Sequence, residues 1–125
     1  MRLLLDTHVL LWSVLDSRQL TAATRHGLAD AEVVYVSASS LWEIAIKTRL
    51  GKMSGDPADF AASIQSSGFL ALPVTATHAA AAAKLPGHHG DPFDRLLLAQ
   101  AFQEPLRLVT ADKIRVAYGG AVERI

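Results

Sequence analysis

The chain has 125 residues, half of them hydrophobic, which is enough to bury one core and matches the size of one ordinary domain. We therefore expect residues 1–125 to form a single domain. Twelve basic and twelve acidic side chains give a formal net charge of zero, so the composition does not favour a protein that binds nucleic acid by bulk electrostatics. The chain contains no cysteine, which excludes disulfides, zinc–thiolate sites and thiol nucleophiles and suits a reducing compartment.

The sequence contains no segment typical of a membrane span or a secretory signal. The uncharged run at residues 69–83 includes Pro73 and is rich in alanine, so it is too short and too weakly apolar to cross a bilayer. Asp6 interrupts the apolar run at the N-terminus, and no small-residue cleavage site follows it. We therefore expect a cytoplasmic protein.

Apolar runs alternate with helical patterns along the chain. Strands are predicted at residues 2–5, 33–37, 69–74 and 106–110, with a weaker one at 121–125. Helices are predicted at residues 7–15, 21–29, 39–50, 56–66, 77–85 and 92–103, the third of them closed by Gly51. The strand runs are continuously apolar, as is typical of strands buried on both faces. The alternation predicts an α/β three-layer α/β/α sandwich with a five-stranded parallel sheet.

Four acidic residues lie at or near junctions between predicted strands and helices: Asp6, Glu43, Asp94 and Asp112. Each has a structural explanation when taken alone. Asp6 can cap the first helix, and Glu43 can form an ion pair with Lys47, four residues further on. For Asp6 the cap is the better explanation, whereas for Glu43, which has apolar neighbours, a structural and a functional role are equally favoured.

The other two acids also have structural explanations. Asp91 and Pro92 are typical of the cap and first residue of a helix, and Asp94 in the first turn complements the helix dipole. Thr110 can cap the segment that contains Asp112. For Asp94 and Asp112, taken singly, these structural explanations are favoured.

Taken together, the four acids indicate a functional site. Turns that follow parallel strands emerge at the same edge of the sheet, where ligands of such folds bind. Four unpaired carboxylates that converge there would repel one another, and a cation relieves that repulsion. All-oxygen ligands select Mg²⁺ or Mn²⁺ over zinc. Such ions activate water and stabilise the charge that develops on a phosphate.

The segments around these acids carry a resemblance to a known family. They are LLDTHVLLW at residues 4–12, VSASSLWEIAIK at 36–47 with LGK at 50–52, HGDPFDRLLLAQA at 89–101, and LVTAD at 108–112. In this order and spacing the chain resembles PIN-domain ribonucleases, specifically the VapC-type toxins of type II toxin–antitoxin systems. The match extends along the whole chain.

The resemblance implies a fold, an activity and partners. It implies a five-stranded parallel sheet between helices, and RNA hydrolysis by metal-activated water with Mg²⁺ or Mn²⁺ as cofactor. It assigns the catalytic and metal-binding roles to four residues: Asp6, Glu43, Asp94 and Asp112. Thr110 would support the turn at Asp112, and Asp91 would act as a cap or as a group behind the ligands. The implied partners are an RNA substrate, a cognate antitoxin and a second copy of the chain in a homodimer.

Rival functions are less well supported by the sequence. An aspartyl-phosphate phosphatase would need a second aspartate two residues after Asp6, where the chain has His8. A receiver domain would need an acid after the strand at residues 69–74, where the chain has Thr75-Ala76-Thr77. The remaining alternative is a PIN-like module that binds RNA or protein without a toxin role.

The remaining charged and histidine residues carry weaker signals. The basic residues near the acids are equally consistent with solvated charge and with phosphate contact: Lys47, Arg49, Lys52 and Arg95. His88 and His89 are adjacent in a loop flanked by glycine, and adjacent histidines rarely converge on one ion, so zinc is not favoured there.

Overall fold

The computed structural model describes residues 1–87, 90–111 and 122–125. The predictions for Asp112, His88 and His89 therefore lie outside the described residues. In chain order the elements are β1 (Arg2–Leu5), α1 (Thr7–Val14), α2 (Ala22–Asp30), β2 (Val33–Ser37), α3 (Ala38–Arg49), α4 (Pro57–Ser66), β3 (Leu70–Leu72), α5 (Ala76–Ala83), α6 (Pro92–Gln103), β4 (Arg107–Thr110) and β5 (Val122–Arg124). None of these helices combines the length and the apolar character that a membrane crossing requires.

The strands form one sheet in the order β3-β2-β1-β4-β5, and every pair of neighbours is parallel. From β1 the chain first builds outward through β2 and β3, and then returns to the other side of β1 as β4. The strand order therefore reverses between β1 and β4. The crevice at the carboxyl ends of the two strands on either side of such a reversal is where open α/β sheets bind their ligands.

Both faces of the sheet are covered, which explains the continuously apolar strands. In β1, Leu3 and Leu5 belong to one buried cluster, with residues of α1, α3 and α4, whereas Leu4 belongs to a second cluster, with residues of α6. Successive side chains of a strand point to opposite faces, so a leucine is needed at each position. Each fully buried leucine stabilises the fold by about 1.5–3 kcal/mol. The predicted α/β class with a parallel sheet between helical layers is confirmed.

Three of the predicted elements differ from the observed ones in ways that a cap or a proline explains. The strand expected at residues 69–74 is only Leu70–Leu72, because Pro73 has no N–H for the ladder of this edge strand. The helix expected at residues 39–50 begins earlier, at Ala38, because the Ser37 side chain accepts a hydrogen bond from the Ser39 N–H and acts as the cap. The helix expected at residues 77–85 is Ala76–Ala83, with Thr75 as its cap.

Candidate active site

Asp6 lies at the point where the strand order reverses. It follows β1 directly, its backbone N–H donates to Val109 O of β4 at 3.1 Å, and the residue is 1% exposed. One carboxylate oxygen, Oδ1, accepts from the His8 N–H at 2.7 Å and caps α1. The other, Oδ2, accepts from the Thr110 hydroxyl at 2.5 Å. The predicted cap is therefore present, and the Asp6 carboxylate is also fixed from a second strand.

Thr110 makes a contact that the sequence did not predict. Its hydroxyl donates to Asp6 across the junction of β1 and β4, whereas the Asp112 turn that it was expected to support lies outside the described residues. Thr110 is fully buried at the end of β4. A hydrogen bond to an ionised carboxylate is stronger than one between neutral groups, so Thr110 fixes the orientation of Asp6.

Glu43 is connected to the Asp6 segment by one hydroxyl group. The Thr7 Oγ1 atom, next to Asp6 in sequence, lies 2.8 Å from Glu43 Oε1 and 3.1 Å from Ser40 Oγ. A threonine has a single hydroxyl hydrogen and an ionised carboxylate only accepts. Thr7 therefore donates to Glu43 and accepts from Ser40. These contacts connect the start of α1 to the first two turns of α3 at the carboxyl edge of the sheet.

The other oxygen of Glu43 is bound by Lys47. The Nζ atom lies 3.0 Å from Glu43 Oε2, and the side chains of Lys47 and Glu43 are 37% and 12% exposed. The ion pair expected from the four-residue spacing is present. A structural and a catalytic role for Glu43 are both consistent with this geometry. The carboxylate is largely buried, and it contacts Thr7, the residue that follows Asp6.

Asp94 lies in the first turn of α6 and is 8% exposed. Its helix begins as the sequence predicted: Asp91 Oδ1 accepts from the N–H groups of Phe93 at 2.8 Å and Asp94 at 3.1 Å, and Pro92 is the first helical residue. The cap role of Asp91 is thus confirmed. Helix α6 packs against α3, the helix that carries Glu43.

The donor chemistry of this edge fits a hard cation, but the described residues do not form a finished cage. Carboxylates and hydroxyls are the ligands that Mg²⁺ and Mn²⁺ prefer. No three acidic or imidazole groups in residues 1–87, 90–111 and 122–125 are grouped closely enough to hold one ion. Asp112, the fourth acid, lies outside these ranges. In the described part of the chain, Glu43 contacts Thr7, the residue that follows Asp6, and Asp94 lies in a neighbouring helix.

Two residues of the site were not recognised as such from the sequence. Neither Thr7 nor Ser40 was predicted as a site residue. Their signal is positional, because Ser40 lies three residues before Glu43 and so shares its face of the helix. The contact with Thr7 could not be read from spacing, since it depends on how α1 and α3 pack.

Arg95 and His78 have structural roles. The Arg95 guanidinium donates to three backbone oxygens at or beyond the end of α5, those of Ala82 and Leu85 at 2.8 Å and Pro86 at 3.0 Å. His78 is 1% exposed: its Nδ1 accepts from the Thr75 N–H at 3.0 Å, and its Nε2 lies 2.7 Å from Glu104 Oε2. Since Nδ1 accepts, Nε2 carries the hydrogen and donates to Glu104.

Comparisons with known proteins agree with the fold. The family model described as PIN domain matches residues 3–118. The chain therefore belongs to the PIN domain family, as the sequence predicted. No curated protein matches the chain.

Several solved structures resemble the chain over almost its whole length. A VapBC-5 structure from Mycobacterium tuberculosis is 26% identical, covering 98% of this chain and 96% of that chain, with a TM-score of 0.64. VapBC2 from Rickettsia felis, bound to a promoter DNA fragment, is 16% identical and covers 99% and 98%, with a TM-score of 0.72. FitAcB from Neisseria gonorrhoeae is 22% identical and covers 96% and 95%, with a TM-score of 0.65. The Rickettsia felis and Neisseria gonorrhoeae structures show the fold alone. The Mycobacterium tuberculosis structure supports the resemblance to the VapC type.

Proposed function

We propose that the chain is a Mg²⁺- or Mn²⁺-dependent endoribonuclease that acts as the toxin of a toxin–antitoxin pair. The observation that carries this proposal is the buried Asp6 carboxylate where the strand order reverses, fixed by Thr110 and connected through Thr7 to Glu43. Membership of the PIN domain family supports the same reading.

The proposed ligands are Asp6, Glu43, Asp94 and Asp112, and the bound ion would supply activated water and stabilise charge on the phosphate. The chain's own contacts prepare this chemistry. Hydrogen bonds from the His8 N–H and from Thr110 fix the plane of the Asp6 carboxylate. Fixing ligands in advance lowers the reorganisation that binding and reaction require.

RNA cleavage that depends on a divalent ion tests this proposal. Wild-type protein should cleave RNA with Mg²⁺ or Mn²⁺ and stop in EDTA, and Zn²⁺ should support cleavage poorly because a six-coordinate oxygen site suits harder ions. The measurement is cleavage of a labelled RNA, with Asp6→Asn protein purified in parallel as the control for contaminating nucleases. Equal cleavage in EDTA and Mg²⁺ would contradict the metal mechanism.

The toxin role is tested separately, in cells. The solved complexes that resemble the chain are toxin–antitoxin assemblies, and we propose a cognate antitoxin and a homodimer for this chain by analogy. Expression of the wild-type chain alone should slow bacterial growth, and expression of Asp6→Asn should not. Equal growth of both strains at equal protein levels would count against the toxin role. It would leave the conclusion from the RNA cleavage assay unchanged.

A PIN-like binding module is the second candidate. The observation that favours it is the lack of a three-ligand group among the described acids. Such a module would bind RNA or a protein partner with the same affinity in EDTA and in Mg²⁺, and it would leave RNA intact. A metal-dependent nuclease differs on both counts.

A further inference from the structure

Lys47 is a cation that contacts the candidate site directly. Its Nζ lies 3.0 Å from Glu43 Oε2, while the other oxygen of the same carboxylate, Oε1, accepts from Thr7. Among the basic residues near the acids, Arg95 is bound to the end of α5, and Arg49 and Lys52 are exposed. Of these basic residues, Lys47 is the one whose side chain contacts Glu43 in the described part of the chain.

The pair is unlike an ordinary surface ion pair in one respect. The Glu43 side chain is 12% exposed, whereas that of Lys47 is 37% exposed, so the carboxylate is largely withdrawn from water and the ammonium is reachable from solvent. A lysine has a flexible four-carbon stem and three donors, and it binds phosphate as a point charge. It can therefore exchange a carboxylate for a phosphate without any change in the backbone.

We propose that Lys47 is the phosphate-binding cation of the site, held on Glu43 until a divalent ion takes over that carboxylate. The inference rests on the proposed function. An ammonium and a divalent cation that use the same carboxylate repel each other, so each weakens the binding of the other to Glu43. Metal binding then frees the ammonium at the moment when the site can accept an RNA phosphate. Lys47 thus couples metal binding to substrate binding.

The first experiment measures metal affinity without any RNA. Mn²⁺ binding to the full chain, followed by electron paramagnetic resonance of the free ion, is compared for wild type, Lys47→Met and Arg49→Met. Lys47→Met should bind Mn²⁺ about two- to fivefold more tightly, which corresponds to removal of a partly exposed ion pair. Arg49→Met, an exposed position on the same helix, should bind as wild type does. Unchanged or weaker Mn²⁺ binding by Lys47→Met would overturn the proposal.

The second experiment measures RNA binding with and without metal. A 2′-O-methyl oligonucleotide, checked to be intact afterwards, is titrated by fluorescence anisotropy in EDTA and in saturating Mg²⁺. Lys47→Met should weaken binding several-fold in Mg²⁺ and have little effect in EDTA, and Lys47→Arg should restore most of the loss. An equal loss in both conditions would make Lys47 an ordinary surface cation, and no loss in either would make it only the structural partner of Glu43. Both results contradict the proposal.

The outcomes also separate this inference from the proposed function. If wild-type protein fails to cleave RNA while Lys47→Met still gains Mn²⁺ affinity, the nuclease assignment fails and the competition at Glu43 stands. If wild type cleaves RNA in a metal-dependent manner and Lys47→Met changes neither Mn²⁺ nor RNA binding, the nuclease assignment stands and the role of Lys47 is wrong. Circular dichroism melting of each variant checks that the folded protein is being compared.

Discussion

Glu43 is the acidic side chain for which a structural and a catalytic role predict different results. Glu43→Gln keeps the shape of the side chain and removes its charge. If Glu43 is only the partner of Lys47, which is partly exposed, the change should cost about 0.5–1 kcal/mol of stability and no activity. If Glu43 acts at a metal site, as we propose, activity should fall by roughly 100-fold or more while the fold persists.

RNA cleavage and urea unfolding of the same preparations measure these two effects. Glu32→Gln is a suitable control, because Glu32 is exposed and precedes β2 at the opposite edge of the sheet. It should leave both activity and stability close to wild type. An active Glu43→Gln protein would return Glu43 to the role of a surface ion-pair partner.

The contacts of individual residues could be predicted from sequence only where they are local. The Asp91 cap, the Pro92 start and the pair between Glu43 and Lys47 follow from spacing along one helix, and all three are present. The hydrogen bonds between Thr110 and Asp6 and between Thr7 and Glu43 join residues 104 and 36 positions apart. No local pattern encodes them, because they depend on how strands and helices pack.

The junction between α5 and α6 depends on Arg95. The sequence left phosphate contact and solvated charge equally open for this residue, but the guanidinium binds backbone oxygens at or beyond the end of α5. Hydrogen bonds from a charged donor satisfy carbonyls that a helix end leaves without partners. Arg95→Met should therefore lower the stability by about 1–2 kcal/mol, or several degrees in melting temperature.

The Arg95 prediction is checked by thermal melting in the presence of EDTA. Arg18→Met, at an exposed position before α2, is the matched control and should melt as wild type does. Unchanged melting of Arg95→Met together with weaker RNA binding would instead support a phosphate contact.

The boundaries of the helices and strands were predictable to within a few residues, because they depend on the local sequence, as helix caps do. Serine and threonine side chains determine where α3 and α5 begin, and Pro73 ends the edge strand β3 early. The buried His78 was not predictable. Its capping contact with Thr75 is local, but its burial and its bond to Glu104 arise from the packing of α5 against α6.

The parallel arrangement of the sheet explains why acids that are far apart in the sequence were expected at one edge. Continuously apolar strands indicated a parallel sheet covered on both faces, and that class is confirmed by the two core clusters. The strand order could not be derived from apolar runs alone. It is this order that brings the ends of β1 and β4 together, and with them Asp6 and Thr110.

The central claim is that the acids form one cation site, and the melting temperature of Asp94→Asn tests it most directly. Removing one of several clustered charges should stabilise the metal-free protein at neutral pH by roughly 1 kcal/mol, a rise of a few degrees. If Asp94 only complements the helix dipole, the same change should lower stability by about 0.3–1 kcal/mol whether or not metal is present.

The chain contains a matched control for this measurement. Helices α4 and α6 both begin with an aspartate cap, a proline and an acid in the first turn, and the equivalent of Asp94 in α4 is the exposed Asp59. Asp59→Asn loses the dipole contact alone. We predict that in EDTA Asp94→Asn melts higher than wild type and Asp59→Asn slightly lower, and that Mg²⁺ raises the melting temperature of wild type more than that of Asp94→Asn. If both variants melt lower by the same amount in EDTA and Mg²⁺ stabilises neither wild type nor Asp94→Asn, the acids do not form a cation site.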